Sequence, residues 1–489
     1  MTSQWIASSR FGLGARPDEA PPADPKMWLR GQLAAYDPKP AALAPAPSRG
    51  EVARQLADYL AEQRSGRAQR RDARPPEAMA SEMRASDPPA MREAIAGLPN
   101  SAQQFIRKAG REYYVGAVAA RAGAALVTPA PFVERLVHFW ANHFAVSADK
   151  LTVIGLAGLL ELEAIRPHVL GRFEDMLVAV ERHPAMLLYL DQAQSIGPAS
   201  RIGELAAARG RKAGLNENLA REIMELHTLG VRTGYSQADV TEFARALTGW
   251  TVAGLAPGPV ARLLGGGGTP GDFLFAEAIH EPGARTILGK AYRQPGEAQA
   301  RAVLADLAAS PATARHIATK LARHFAGDDP PPALVDRLSA AYLESGGDLP
   351  TLYRVLIDAP EAWNPAAVKF RTPWDWTIAA LRGVGAKQIQ GQAMVGLVTQ
   401  LGQPVWRPGS PAGYDDIAAS WAGPDALVRR VEAAERIAGR LPAEVDARAL
   451  APKLLADALT PATTQALARA ESPGQALALL LAAPEFLRR

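Results

Sequence analysis

The chain has 489 residues, 48% of them hydrophobic and 21% charged, which fits a globular protein of up to about three domains and excludes disordered tails and collagen-like repeats. The formal charge of +4 is nearly neutral for this length, and the pI of 9.2 reflects a small excess of arginine rather than a nucleic-acid surface. There is no cysteine, which removes disulfide frameworks, iron–sulfur clusters, thiolate zinc sites and thiol nucleophiles together.

The N-terminal stretch MTSQWIASSRFGLG has neither a charged n-region nor an apolar h-region, so no secretory signal is expected in it and a cytoplasmic chain is favoured over a periplasmic one. The longest uncharged apolar run, 151–160, is half of what a membrane span requires. In chain order the sequence divides into an N-terminal segment with the RFGLG motif (1–36) and a proline-rich linker (37–49). An arginine-rich helical arm (50–100), a helical core (101–385) and a region of short helices (386–489) follow. The arm carries Arg64, Arg67, Arg70, Arg71 and Arg74 without interleaved aromatics, which reads as a solvated helix rather than a nucleic-acid patch.

Apolar residues recur every three or four positions in nearly every segment, so the fold class is all-α, a multi-helix globular fold. Many prolines follow an N-cap residue, as at His183-Pro184, Ser310-Pro311, Thr460-Pro461 and Ser472-Pro473, and mark helix starts. In the C-terminal region the same argument predicts short helices from Pro442, Pro461, Pro473 and Pro484. The exception to helix is a minor β-hairpin near 272–288, with Phe273 and Phe275 on one arm and Thr286–Leu288 on the other. The glycines of 265–268 read as a surface loop.

Signatures of several enzyme classes are missing. GARTILGK at 283–290 has five residues between its glycines where a P-loop has four, and the G-x-G-x-x-G match at 266–271 follows no strand, so no nucleotide or dinucleotide motif is present. There is no G-x-S-x-G and no H-E-x-x-H, and Glu-x-x-His occurs once, at Glu277 to His280, which removes the usual hydrolase elbow and the zincins and leaves the ferritin-type di-iron site without its second copy.

Three constellations remain. The first is 216–250, a helical hairpin turning at Gly230, with Ser236 and Asp239 opening its second helix. Asn218, Arg221, Glu222 and Glu225 share one stripe of the first helix, and Thr241, Glu242, Arg245 and Thr248 share one of the second. Glu222 and Glu225 could act as acid and base or hold a divalent metal, with Arg245 clamping an anion. The competing reading is a buried Glu–Arg network that only fixes register. His227 reads as a hydrogen-bonded helix-end histidine. The second constellation is 134–146, where Glu134, His138 and Asn142 line one face and His143 points elsewhere. A substrate-binding stripe and a solvent-facing one are the two readings. The third is 183–195, which delivers Asp191 into a loop as a catalytic group or as a simple cap.

Those residues and several others carry a resemblance. RFGLGARP, W-x-N-H-F at 140–144, HPAMLLYLD, the block 216–250, HEPG at 280–283, IATKLARHF at 317–325, DDPPPALV from Asp328, GQPVW from Gly402, SPAGY from Ser410 and the closing APEFLRR resemble, nearly end to end, the bacterial family called domain of unknown function 1800. The resemblance implies a predominantly helical protein. It also implies a partner from the sulfatase- or alkaline-phosphatase-like family called domain of unknown function 1501, and relatives that commonly carry an export signal. The expectation is an enzyme of hydrolase or transferase type, its catalytic groups Glu222, Glu225, Arg245 and Asp191 and its substrate-binding groups Asn218, His138, Asn142 and Glu242. The alternative is a non-catalytic scaffold for the sulfatase-like partner.

Overall fold

A computed structural model describes residues 2–72, 105, 108–211, 214–256, 260, 268–366, 369–441 and 445–489. Among these the chain is all-α apart from two short antiparallel strand pairs, and no helix is long and apolar enough to cross a membrane.

The helix starts follow local chemistry. Ser310, Thr372, Thr460 and Ser472 each accept a hydrogen bond from a backbone N–H of the first turn, with proline at the next position, as expected of a residue whose missing N–H costs nothing there. His183 does the same with its ring nitrogen. Other prolines depart from this pattern, Pro131, Pro332 and Pro424 opening helices without a side-chain cap. Pro484 opens only a turn, and Pro452 lies inside helix Ala447–Leu455. The start predicted at Pro442 lies outside the described residues, as do residues 73–100 of the arginine-rich arm and glycines 265–267 of the loop. The strands also pair differently from the expected hairpin: Phe273–Phe275 pairs with Trp250–Val252, and Arg285–Ile287 pairs with Lys290–Tyr292. The two-residue corner Leu288-Gly289, both at positive φ, closes the second pair on itself and leaves the first strand to the end of the helical hairpin.

The proline-rich stretch 37–49 lies along helix Tyr114–Val127, close enough that a Cβ on Gly116 would meet the Pro45 carbonyl at 2.5 Å. Helix Pro131–His143 runs through the main core, burying Phe132, Val133, Leu136, Val137 and Trp140. Trp140 Nε1 donates to Tyr353 Oη at 2.8 Å, and that hydroxyl donates to the Val169 carbonyl at 3.0 Å. A second hydrophobic cluster joins Phe370 and Trp376 to Trp421, Leu477, Leu480 and Phe486.

Helix ends inside such a core leave carbonyls without partners, and here buried arginines supply them. Arg382 donates to the carbonyls of Gly14, Ala125 and Leu126, Arg10 to those of Ala362 and Ala366, and Arg430 to that of Arg371. One guanidinium has five N–H donors in a rigid fork, so Arg382 serves three carbonyls at once and Arg10 two. Much of the arginine excess behind the basic pI is therefore internal.

Candidate functional site

A cavity of about 310 Å³ opens between helix Pro131–His143, helix Pro311–Ala326, the start of helix Pro373–Gly383 and the irregular loop 402–417 that roofs it. The roof is clasped by Asn142, whose Nδ2 donates to the Tyr414 carbonyl at 2.8 Å while its Oδ1 accepts from the Tyr414 N–H at 2.7 Å. Trp406, held at a φ of 48°, donates its indole N–H to Glu161 at 3.0 Å, and its carbonyl accepts from Ala148 N–H at 2.7 Å. Gly158 makes room for that ring: a Cβ there would lie 2.9 Å from it. The Arg121 guanidinium lies between Trp374 and Trp406, 4.4 and 5.3 Å from their ring centres, with Glu161 at 3.1 Å.

Two of the three acids lining the cavity are engaged by charged or basic partners, and the third, Asp415, accepts from Ser420 Oγ at 2.8 Å. Asp375 is gripped by Arg135 at 2.8 Å and Arg489 at 3.0 Å; burial alone would raise its carboxyl, but these two guanidinium groups hold it well below the usual range. Asp416 receives His324 Nδ1 at 2.7 Å and Lys369 at 3.1 Å, and is held low against burial in the same way. The cations on helix Pro311–Ala326 differ. Among the described residues neither Lys320 nor Arg323 forms an ion pair with a carboxylate. Arg323 Nε donates to the Asp328 carbonyl at 3.2 Å, and Lys320 Nζ lies 2.9 Å from His143 Nδ1.

Neighbouring contacts fix the proton positions. His143 Nε2 faces the His227 carbonyl at 3.1 Å, which can only accept, so the proton sits on Nε2 and the bare Nδ1 accepts from Lys320. Burial, with Lys320 next, keeps His143 well below its ordinary value. Burial pushes the Lys320 ammonium down to about 8, opposed by Asp416 and aided by Arg323. His138 accepts from Trp374 Nε1 at 3.2 Å, so its proton is on Nε2, facing Glu134 at 3.6 Å. Glu134 itself forms a two-point pair with Arg166 at 2.6 and 2.9 Å, both side chains fully buried. The face carrying Glu134, His138 and Asn142 is thus turned inward, and two of its members line the cavity.

The helical hairpin forms much as expected: Gly230 takes a φ of 94°, Ser236 and Asp239 make a reciprocal capping box, and Leu219, Ile223, Val240, Phe243 and Leu247 are buried. His227 is a buried helix-end histidine bonded to Glu181 at 2.7 Å. The expected carboxylate–arginine centre is not assembled. Arg245 pairs with Glu242 at 2.9 Å, Glu242 also with Arg285 at 3.3 Å, and Glu225 with Arg221 at 3.4 Å. Glu222 is half-buried, its carboxyl raised by burial, and has no ion pair among the described residues. Arg221 and Arg245 each find a carboxylate on their own helix at three- or four-residue spacing, so nothing draws Arg245 across to the glutamates. Asn218 opens the first helix, its N–H donating to Asn216 Oδ1. Asp191, at a φ of 59°, pairs with Lys150 at 2.7 Å. None of these six lines the cavity, and among the described residues no group of three or more His, Asp or Glu is arranged to hold a metal ion.

Sequence reasoning passed over Lys320, Arg323 and His324. The signal was available: His316, Lys320 and His324 recur every four residues opposite Ala314, Ala318 and Ala322, the spacing that singled out His138 and Asn142.

The class so defined is an all-helical protein with a roofed, cationic, histidine-lined cavity. The chain belongs to the family described as protein of unknown function DUF1800, whose model matches residues 6–488. No curated protein and no solved structure matches it. Four of the stretches that carry the family resemblance, 140–144, 317–325, 402–406 and 410–414, contribute to this one cavity. A fifth, RFGLG, braces it from behind through the Gly12 carbonyl, which accepts from Arg135 Nε at 2.7 Å.

Proposed function

We propose that this protein is an enzyme of hydrolase or transferase type that takes a small anionic substrate into the cavity beneath loop 402–417. The observation that carries the reading is that Lys320 and Arg323 face this cavity without a carboxylate partner while Asp375 is held by two guanidinium groups and Asp416 by Lys369 and His324. Half-buried positive charge left unpaired is costly, and an anion in the cavity would relieve that cost. Arg323 would orient the anionic group, the Trp374–Arg121–Trp406 stack would form a flat aromatic and guanidinium wall, and Lys320 with His143 would move protons near neutral pH. A partnership with a sulfatase-like protein of the domain of unknown function 1501 family is carried over from the resemblance and is tested by co-purification.

Thermal melts of the full chain with sulfate, phosphate, pyruvate or citrate test the anion site. At least one anion should raise the melting temperature of the wild type, and Arg323→Met should abolish most of that rise. No response to any of them, or an undiminished response in the variant, would remove the basis of this reading.

A further inference from the structure

Lys320 is set up for more than charge. Its Nζ gives one N–H to His143 Nδ1 at 2.9 Å, and the tautomer that makes this acceptor is imposed from behind by the His227 carbonyl. A deprotonated amine held in this way keeps its lone pair and directs it away from the imidazole. Arg323 follows three residues later on the same helix, where side chains are surface neighbours with Cβ atoms about 5–6 Å apart. A nucleophilic nitrogen, a neutral base in contact with it and a carboxylate-sized cation one turn away suit one substrate class: a small aldehyde or ketone bearing a carboxylate next to its carbonyl group. We propose that Lys320 is a catalytic residue that forms an imine with a 2-oxo acid, Arg323 holding the carboxylate and His143 carrying the proton. This rests on the anion-binding reading and specifies its group-transfer form.

The step balances without an outside oxidant or reductant. The Nζ lone pair forms the N–C bond as the carbonyl π pair moves onto oxygen. One of the two amine protons then passes by way of His143 Nδ1 to that oxygen. A proton from solvent converts the hydroxyl to water, which leaves as the nitrogen pair closes the C=N bond, and the iminium retains the remaining N–H. Burial supports the chemistry by bringing the amine down to about 8, so that a usable fraction is neutral where an exposed lysine is almost wholly charged. The charged and titratable groups facing Lys320 are His316 and Arg323 on its own helix, His143 from helix Pro131–His143 and Asp416 from the roof.

The test uses the full chain incubated with pyruvate and cyanoborohydride, read by intact mass and peptide mapping. The expected result is one reduced adduct per chain, mapped in the wild type to the peptide containing Lys320, with a labelling rate that climbs between pH 7 and 8.5. The adduct should be lost in Lys320→Met and slowed at least about tenfold in Arg323→Met, which keeps the amine but not the carboxylate anchor. Wild-type mapping requires no variant to fold. Labelling scattered over surface lysines, or no adduct from a protein whose melting temperature pyruvate still raises, overturns the imine and leaves the anion site standing. Absence of both adduct and melting shift overturns the anion site as well.

Discussion

Acid should unfold this protein through its histidines well before it reaches its carboxylates. His138, His143, His183, His280, His316 and His324 are all held below their ordinary value, primarily by burial, and for His316 and His324 the value is about 4. A base with a depressed folded-state pKa takes up its proton more readily in the unfolded chain. Stability is therefore complete above about pH 6.5 and declines as pH falls toward 4. The depressed Asp375 and Asp416 carboxyls act in a separate, lower window, since their contribution is lost only as pH falls below the unfolded carboxylate value near 4. For His324, whose side chain is 13% exposed, moving from pH 7 to pH 5 costs about 2 kcal/mol. His316 adds a similar amount, reduced by its partial exposure. A chain of this size has an unfolding entropy of about 1 kcal/mol per degree, so these two alone predict a fall in melting temperature of about 3–4 °C. Calorimetry at pH 7, 6 and 5 measures it, and His324→Gln should flatten the slope. A melting temperature that is level or rises on acidification to pH 5 would refute the reasoning.

Glu134→Gln leaves Arg166 buried without its counter-charge and should cost about 3 kcal/mol, read from the shift in denaturant midpoint; a loss under about 1 kcal/mol would mean that the pair is not desolvated as described. Replacing Glu222 and Glu225 together by Gln should change stability by less than about 1 kcal/mol, because Glu225 has only a partly exposed pair with Arg221 and Arg245 is served by Glu242. A large loss in the double variant, or a wild-type melting temperature that rises with Mn²⁺, Mg²⁺ or Ca²⁺ only while both glutamates are present, would return the chemistry to the hairpin.

Elements governed by local chemistry were readable from the sequence. The capping box at Ser236 and Asp239 and the proline starts after Ser310, Thr460 and Ser472 depend on neighbours within four residues, and the structure contains each. Faces were readable, but their direction was not. The periodicity that puts Glu134, His138 and Asn142 on one side of a helix is the same whether that side meets water or a cavity. The choice was made by Arg166, Trp374 and Tyr414, up to 272 residues away. The converse holds for the hairpin, where an interior concentration of charge suggested burial, yet pairs at helical spacing let it remain half exposed. The roof was beyond periodicity altogether, because 402–417 has no regular structure. Only the family resemblance of GQPVW and SPAGY marked it.

The long reach of these contacts matters while the chain is being made. Lys320 meets His143 across 177 residues, Trp374 meets His138 across 236, and Tyr414 meets Asn142 across 272. At a synthesis rate of about 5–20 residues per second, helix Pro131–His143 waits on the order of 15–50 s for its roof. During that interval His138 and Asn142 stand on a helix face whose partners Trp374 and Tyr414 are still to be translated, leaving that face available to a chaperone. The nascent chain depends on such protection most between the emergence of His138 and that of Tyr414, and any anion that fits the finished cavity can reinforce the fold only once that last segment has closed.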